Sequence, residues 1–108
     1  MISESQLQKV IAKLKVKPGL IGESHLIEGP WRIGLFWDRE EKAFLLYLYW
    51  NNQEKRLRLD KDIDITTAGR SQWMADNTWR LTEKGRSKVE SNVLIAIRAT
   101  EAKLVRDK

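Results

Sequence analysis

Arg32, Tyr47, Tyr49, Arg56 and Arg58 have the types and spacing for stacking and charge neutralisation. On one face of an antiparallel sheet, phenol rings flanked by guanidinium groups would stack on unpaired bases while the arginines meet phosphate. Stacking of this kind is worth about 1–3 kcal/mol per base. The same Tyr–Arg cross-strand pairs would also serve a solvated face, at about 0.2–1 kcal/mol each. They would equally suit a protein partner, since Tyr and Arg are common interface anchors. A second basic set consists of Lys9, Lys13 and Lys17, spaced by four, together with Arg80, Lys84, Arg86 and Lys88.

Other chemistry has little to work with. No cysteine is present, which excludes a disulfide framework, a thiolate metal site and a thiol nucleophile. The single histidine, His25, follows Glu23 and Ser24 but lies in no nucleophile elbow. Asp60-x-Asp62-x-Asp64 opens like a calcium loop, yet Ile65 and Ser71 stand where the loop needs Gly and Glu. No glycine-rich phosphate cradle occurs. A binding protein is therefore expected rather than an enzyme, with no metal and no cofactor.

The chain has 108 residues, enough for one domain, and a net charge of +5 that favours anionic partners. The largest basic excesses fall in residues 1–22 and 70–88. The longest apolar runs, Ala43–Trp50 and Val93–Ile97, are too short to span a bilayer. With no secretory leader at Met1–Gln6 and no cysteine, the expected location is cytoplasmic.

Positioning these groups requires an α+β fold: an N-terminal helix, a three- to four-stranded antiparallel meander, and a long C-terminal helix packed on the sheet. Ser3 or Ser5 caps a first helix that runs to about Val16, with Leu7, Val10, Ile11 and Leu14 as its apolar stripe. Lys9, Lys13 and Lys17 then form a basic second face, and Pro18-Gly19 ends the helix. Gly22–Gly29 reads as a connector with an extended piece at His25–Ile27.

Trp31–Trp37 alternates with period two, Ala43–Trp50 is apolar on both faces, and Lys55–Leu59 alternates again. Turns at 38–42 and 51–54, each leaving four residues unpaired, put Trp31, Ile33, Leu35 and Trp37 opposite Trp50, Leu48, Leu46 and Phe44. They also put Leu48 opposite Leu57 and Leu46 opposite Leu59. Trp31, Trp37 and Trp50 then belong to the core. The opposite face reads Arg32, Tyr49, Arg56 in one row and Gly34, Tyr47, Arg58 in the next.

Asp60–Thr67 extends the third strand or forms a loop; on a strand, its three carboxylates would share one face. Ser71–Ala75 could make one helical turn, and Trp73 and Trp79 flank a polar segment as loop packing or a binding lip. Trp79–Leu81 reads as a short strand. Thr82 caps a final helix from Glu83 to Arg106, with Val89, Val93, Ala96, Ile97, Thr100 and Leu104 as its buried stripe. Val93–Ile97 is apolar all round, as under a sheet or in a homodimer interface.

Thr78–Arg86 (TWRLTEKGR) resembles the strand-to-helix junction that follows the wing in bacterial winged-helix regulators, where a long helix often dimerises. Residues 31–59 read as strands, however, and supply no recognition helix upstream. The order helix, three strands, helix is similar to that of double-stranded-RNA-binding domains. Glu28–Phe36 resembles their first-strand entry and Gly85–Lys88 the basic start of their last helix. That resemblance implies phosphate contacts from Lys84, Arg86 and Lys88, although the gap from Phe36 to Gly85 is longer than that family has. The residues point to a small nucleic-acid-binding protein using one of the two basic sets. The alternative is a protein-interaction or assembly module using the same sheet face or the C-terminal helix.

Overall fold

The computed structural model describes residues 2–68 and 78–106. The Oγ of Ser3 accepts from the Gln6 amide at 3.4 Å and opens helix α1, Glu4–Lys13. Leu7, Val10 and Ile11 form its buried stripe. The helix ends earlier than Val16, because Leu14 turns extended and Lys15–Lys17 forms strand β1. Val16 on β1 is wholly buried. Its burial in a sheet therefore ends the helix before Pro18-Gly19 does. The Lys9/Lys13/Lys17 helical face is broken as a result. Lys9 and Lys13 remain exposed on α1, whereas Lys17 lies on β1 and ion-pairs with Glu23.

Strands β2 (Ile21–Glu28), β3 (Trp31–Asp38), β4 (Ala43–Trp50), β5 (Gln53–Leu59), β6 (Ile65–Ala68) and β7 (Thr78–Leu81) complete one antiparallel sheet. Its order is β5-β4-β3-β2-β1-β7-β6. Seven strands replace the expected three or four. The Gly22–Gly29 connector is almost entirely strand: β2 carries Glu23 and His25 opposite Leu35 and Ile33, so no apolar alternation marks it. Its pairing with β1 and β3 supplies the main-chain hydrogen bonds that its side chains do not advertise.

The sheet curls into a half-barrel. Strands β4 and β7 are separated by three others, which in a flat sheet would hold them about 19 Å apart. Yet the rings of Phe44 and Trp79 lie 5.3 Å apart. The apolar side chains of both helices and of the sheet form a single core. Trp31 is buried in it, and Trp37 and Trp50 pack against it half-buried.

The first hairpin has the expected register, with Ile33 opposite Leu48 and Leu35 opposite Leu46. The second is displaced by two residues: Leu46 faces Leu57, Phe44 faces Leu59, and Lys55 faces Leu48. The cause is the turn. Only Asn51 and Asn52 lie outside the ladder, with φ of 44° and 65°. Two consecutive left-handed residues make a type I′ turn, whose twist matches the strands it joins, and asparagine tolerates that conformation. A displacement of two preserves which face each side chain takes but changes every neighbour across the strands.

Asp60–Asp64 forms a turn and does not extend β5, whereas Ile65–Thr67 belongs to the separate strand β6. The Asp60 carboxylate accepts from the amides of Asp62 and Ile63, at 2.8 and 3.0 Å. Asp64, only 3% exposed, accepts from the Asp60 amide and from Lys88 Nζ, both at 2.8 Å. The carboxylates are thus used singly, and the expected strand face of three like charges does not form. Ser71–Ala75 and Trp73 lie outside the described residues.

Helix α2 spans Glu83–Arg106, capped as expected by Thr82, whose Oγ1 accepts from the Gly85 amide at 3.0 Å. Val89, Val93, Ala96 and Ile97 are buried. The Val93–Ile97 turn is not enclosed all round, since Ile95 is 66% exposed. No helix among the described residues is long and apolar enough to cross a membrane.

The Asp64 junction sets an acid limit on stability. Burial pushes the Asp64 carboxyl up, but Lys88 and the Asp60 amide outweigh it and hold the group below its ordinary value. A carboxylate depressed in the folded state stabilises above its unfolded pKa, and that contribution is lost as pH falls through the lower folded value. Urea unfolding from pH 6 to pH 2 should therefore show stability falling below about pH 4. In Asp64→Asn this part of the fall should be absent, and the variant should already be weaker at pH 6. An unchanged acid limb in the variant would contradict the assignment.

Candidate functional site

Among the described residues no helix lies over one face of strands β2 to β5, and its side chains follow from the ladder. Cross-strand partners share a face. The rows are Leu26–Arg32–Tyr49–Glu54, then Ser24–Gly34–Tyr47–Arg56, then Phe36–Leu45–Arg58. Arg32, Tyr47, Tyr49, Arg56 and Arg58 are therefore brought together, in rows that differ from the expected ones. Glu54, not Arg56, stands beside Tyr49, and Arg56, not Arg58, stands beside Tyr47.

Tyr47 and Tyr49, two apart on β4, stack nearly parallel, with centroids 5.7 Å apart and planes 7° apart. The Arg56 guanidinium lies 5.0 Å from the Tyr47 ring centre. Phe36 meets Tyr47 edge-on at 5.2 Å. Phe36 completes a three-ring ladder that the sequence reading overlooked. Period two from Arg32 through Gly34 already places it on this face. The second signal is a pair of glycines: a Cβ at Gly22 or at Gly34 would lie 2.4 Å from the Phe36 ring. The ring thus lies across bare backbone.

Electrostatics divide the face. Arg32 donates to Ser24 Oγ at 3.3 Å and is exposed. Arg56 is tied to Glu54 at 2.9 Å, and that carboxylate raises its pKa further. Burial, then the charge of Glu54, raises the Tyr49 phenol above its ordinary value, so it is a neutral hydrogen-bonding group at neutral pH. Two shallow grooves of about 550 Å³ each flank the ladder. One runs from Arg32 and Tyr49 to the Asn51–Asn52 turn and Glu54; the other lies between Phe36, Tyr47, Tyr49, Arg56 and the segment Asp38–Glu40.

The second basic set is spread over four elements, α1, β1, β7 and α2. Lys9 and Lys13 are on α1, Lys84 and Arg86 are exposed on the first turns of α2, and Arg80 is half-buried on β7 beside Lys15. Lys88 is held by Asp64 and Lys17 by Glu23, so both have structural partners. Trp79 packs on Phe44 with Lys61 near its ring, which makes it a core-edge residue. His25 faces the core side of β2, opposite Ile33, with its Nε2 buried and unpartnered. No group of three or more metal-ligating side chains occurs among the described residues. Compared with known proteins, the chain matches no family model, no curated protein and no solved structure.

Proposed function

We propose that the chain binds single-stranded nucleic acid on the open sheet face, with Tyr49, Tyr47 and Phe36 as the stacking ladder and Arg32, Arg56 and Arg58 as phosphate partners. The observation that carries this reading is the aromatic ladder, framed by arginines on a face that no helix of the described residues covers. A flexible single strand can splay its bases over such a surface, whereas a duplex keeps its bases stacked inside. Lys84, Arg86 and the α1 lysines add a diffuse positive field that steers an anion towards the domain.

Titration of labelled single-stranded and duplex oligonucleotides at increasing salt tests the proposal. Three arginine–phosphate contacts predict a slope of log K against log salt of about −2 for a single strand. Arg58→Ala should reduce that slope by about 0.7. Absence of single-strand binding at low salt, or a preference for duplex, removes the proposal.

A second reading, a protein-assembly module, is favoured by one observation. Leu57 on the edge strand β5 is half-buried and Ile95 on α2 is exposed, and both line a small apolar cleft with Val93 and Ala96. This reading stands if oligonucleotides do not bind, and it includes the homodimer expected through α2.

A further inference from the structure

Tyr47 and Tyr49 differ in their surroundings, and the difference bears on which bases are accepted. Tyr47 has Tyr49 stacked on it and the Arg56 guanidinium 5.0 Å from its ring centre, and it borders only the groove beside Asp38–Glu40. Tyr49 stacks on Tyr47 and lines both grooves, including the one that runs to the Asn51–Asn52 turn. A base entering this groove stacks on Tyr49, with Arg32 on β3 to one side and Glu54 on β5 to the other. Glu54 is exposed and uses Oε1 for Arg56. Its second oxygen can accept from a base edge, and a carboxylate offers acceptors only.

From this asymmetry, and resting on the single-strand reading above, we infer that the Tyr49 groove is a base-selective subsite: it takes a nucleobase bearing an exocyclic amino group, such as cytosine, over thymine or uracil. Cytosine presents its N4 amino donor where thymine presents the O4 acceptor, and a carboxylate can accept from the first but meets the second with lone pair against lone pair. Stacking does not separate the two, because both are single-ring pyrimidines. Arg32 remains available to the phosphate beside the seated base.

Oligo(dC) and oligo(dT) of equal short length, titrated at neutral pH against wild type and Glu54→Gln, decide the matter. Wild type should prefer oligo(dC) by roughly tenfold. Glutamine offers both donor and acceptor, so Glu54→Gln should bring the two within about twofold of each other. It should also bind both at least as tightly as wild type, since a negative charge is lost and Arg56 is released. Equal affinities in wild type, or a preference that survives Glu54→Gln, overturn the subsite and leave the general single-strand reading intact. No binding of either oligonucleotide by either protein overturns both.

Discussion

Tyr49→Ala should weaken single-stranded oligonucleotide binding by about 30-fold while the domain stays folded. Loss of one base–ring stack costs about 1–3 kcal/mol, and 1.4 kcal/mol is a factor of ten. Tyr49 should show the largest effect of the three rings because it lines both grooves, including the one that runs to the Asn51–Asn52 turn. Tyr47 is flanked by Tyr49 and Arg56, so its replacement removes a support for Tyr49 in addition to any contact of its own. The salt slope separates stacking from charge. Tyr49→Ala should lower affinity at every salt concentration without changing the slope, whereas Arg58→Ala changes the slope. Fluorescence anisotropy provides the affinities and circular dichroism the check on folding. A Tyr49→Ala protein that is folded and binds as wild type would remove the ladder from the binding account.

Gly85→Ala should destabilise the domain by about 2 kcal/mol, although the substitution is made inside a helix. Propensity alone points the other way, since alanine is favoured over glycine in a helix by about 1 kcal/mol. Packing decides the sign. A Cβ at Gly85 would lie 2.4 Å from the Asp64 carbonyl oxygen and 3.1 Å from its Cα. Both are backbone atoms, and the backbone there is pinned. The Asp64 carbonyl accepts from the Thr82 amide at 2.8 Å, and the Ile63 carbonyl accepts from Thr82 Oγ1 at 2.7 Å. The Asp64 carboxylate is fixed by the Asp60 amide and Lys88. Overpacking of this kind typically costs about 1–3 kcal/mol, and here relief would break several hydrogen bonds at once. Thermal unfolding should show a Tm lower by about 10 °C, with Ser87→Ala, on an exposed position of the same turn, close to wild type. A Gly85→Ala protein more stable than wild type would mean that helix and turn do not approach this closely.

Period, caps and face alternation were the legible parts of the fold. The stripe Leu7, Val10, Ile11 and the alternation in Trp31–Trp37 each have one apolar solution, since any shift would expose several large side chains. Thr82 announces α2 for the same local reason: a hydroxyl in the right place satisfies an amide that the helix leaves free. Much of the candidate site was legible in this way, because Tyr47, Tyr49, Arg32, Arg56 and Arg58 share a face in any register of the right parity. Phe36 is equally open to the period-two reading, and Gly22 and Gly34 beside its ring leave the backbone bare for it to lie across.

Strands β1 and β6, and β2 apart from its extended piece His25–Ile27, were not legible, for a different reason. Their residues bury little apolar surface on a regular spacing, and what makes them strands is a partner elsewhere in the chain. Lys15–Lys17 would continue α1 on local grounds and becomes β1 because Val16 is buried between β2 and β7. By itself, the sequence determined the two helices, the parity of the central strands and the absence of thiol chemistry, all of which depend on side-chain type and near-neighbour spacing. Only the tertiary structure decided the strand count, the sharp Asn51–Asn52 turn and hence the placement of Glu54 beside Tyr49. Those depend on main-chain hydrogen bonds between distant segments, which any side chain can accompany and none announces.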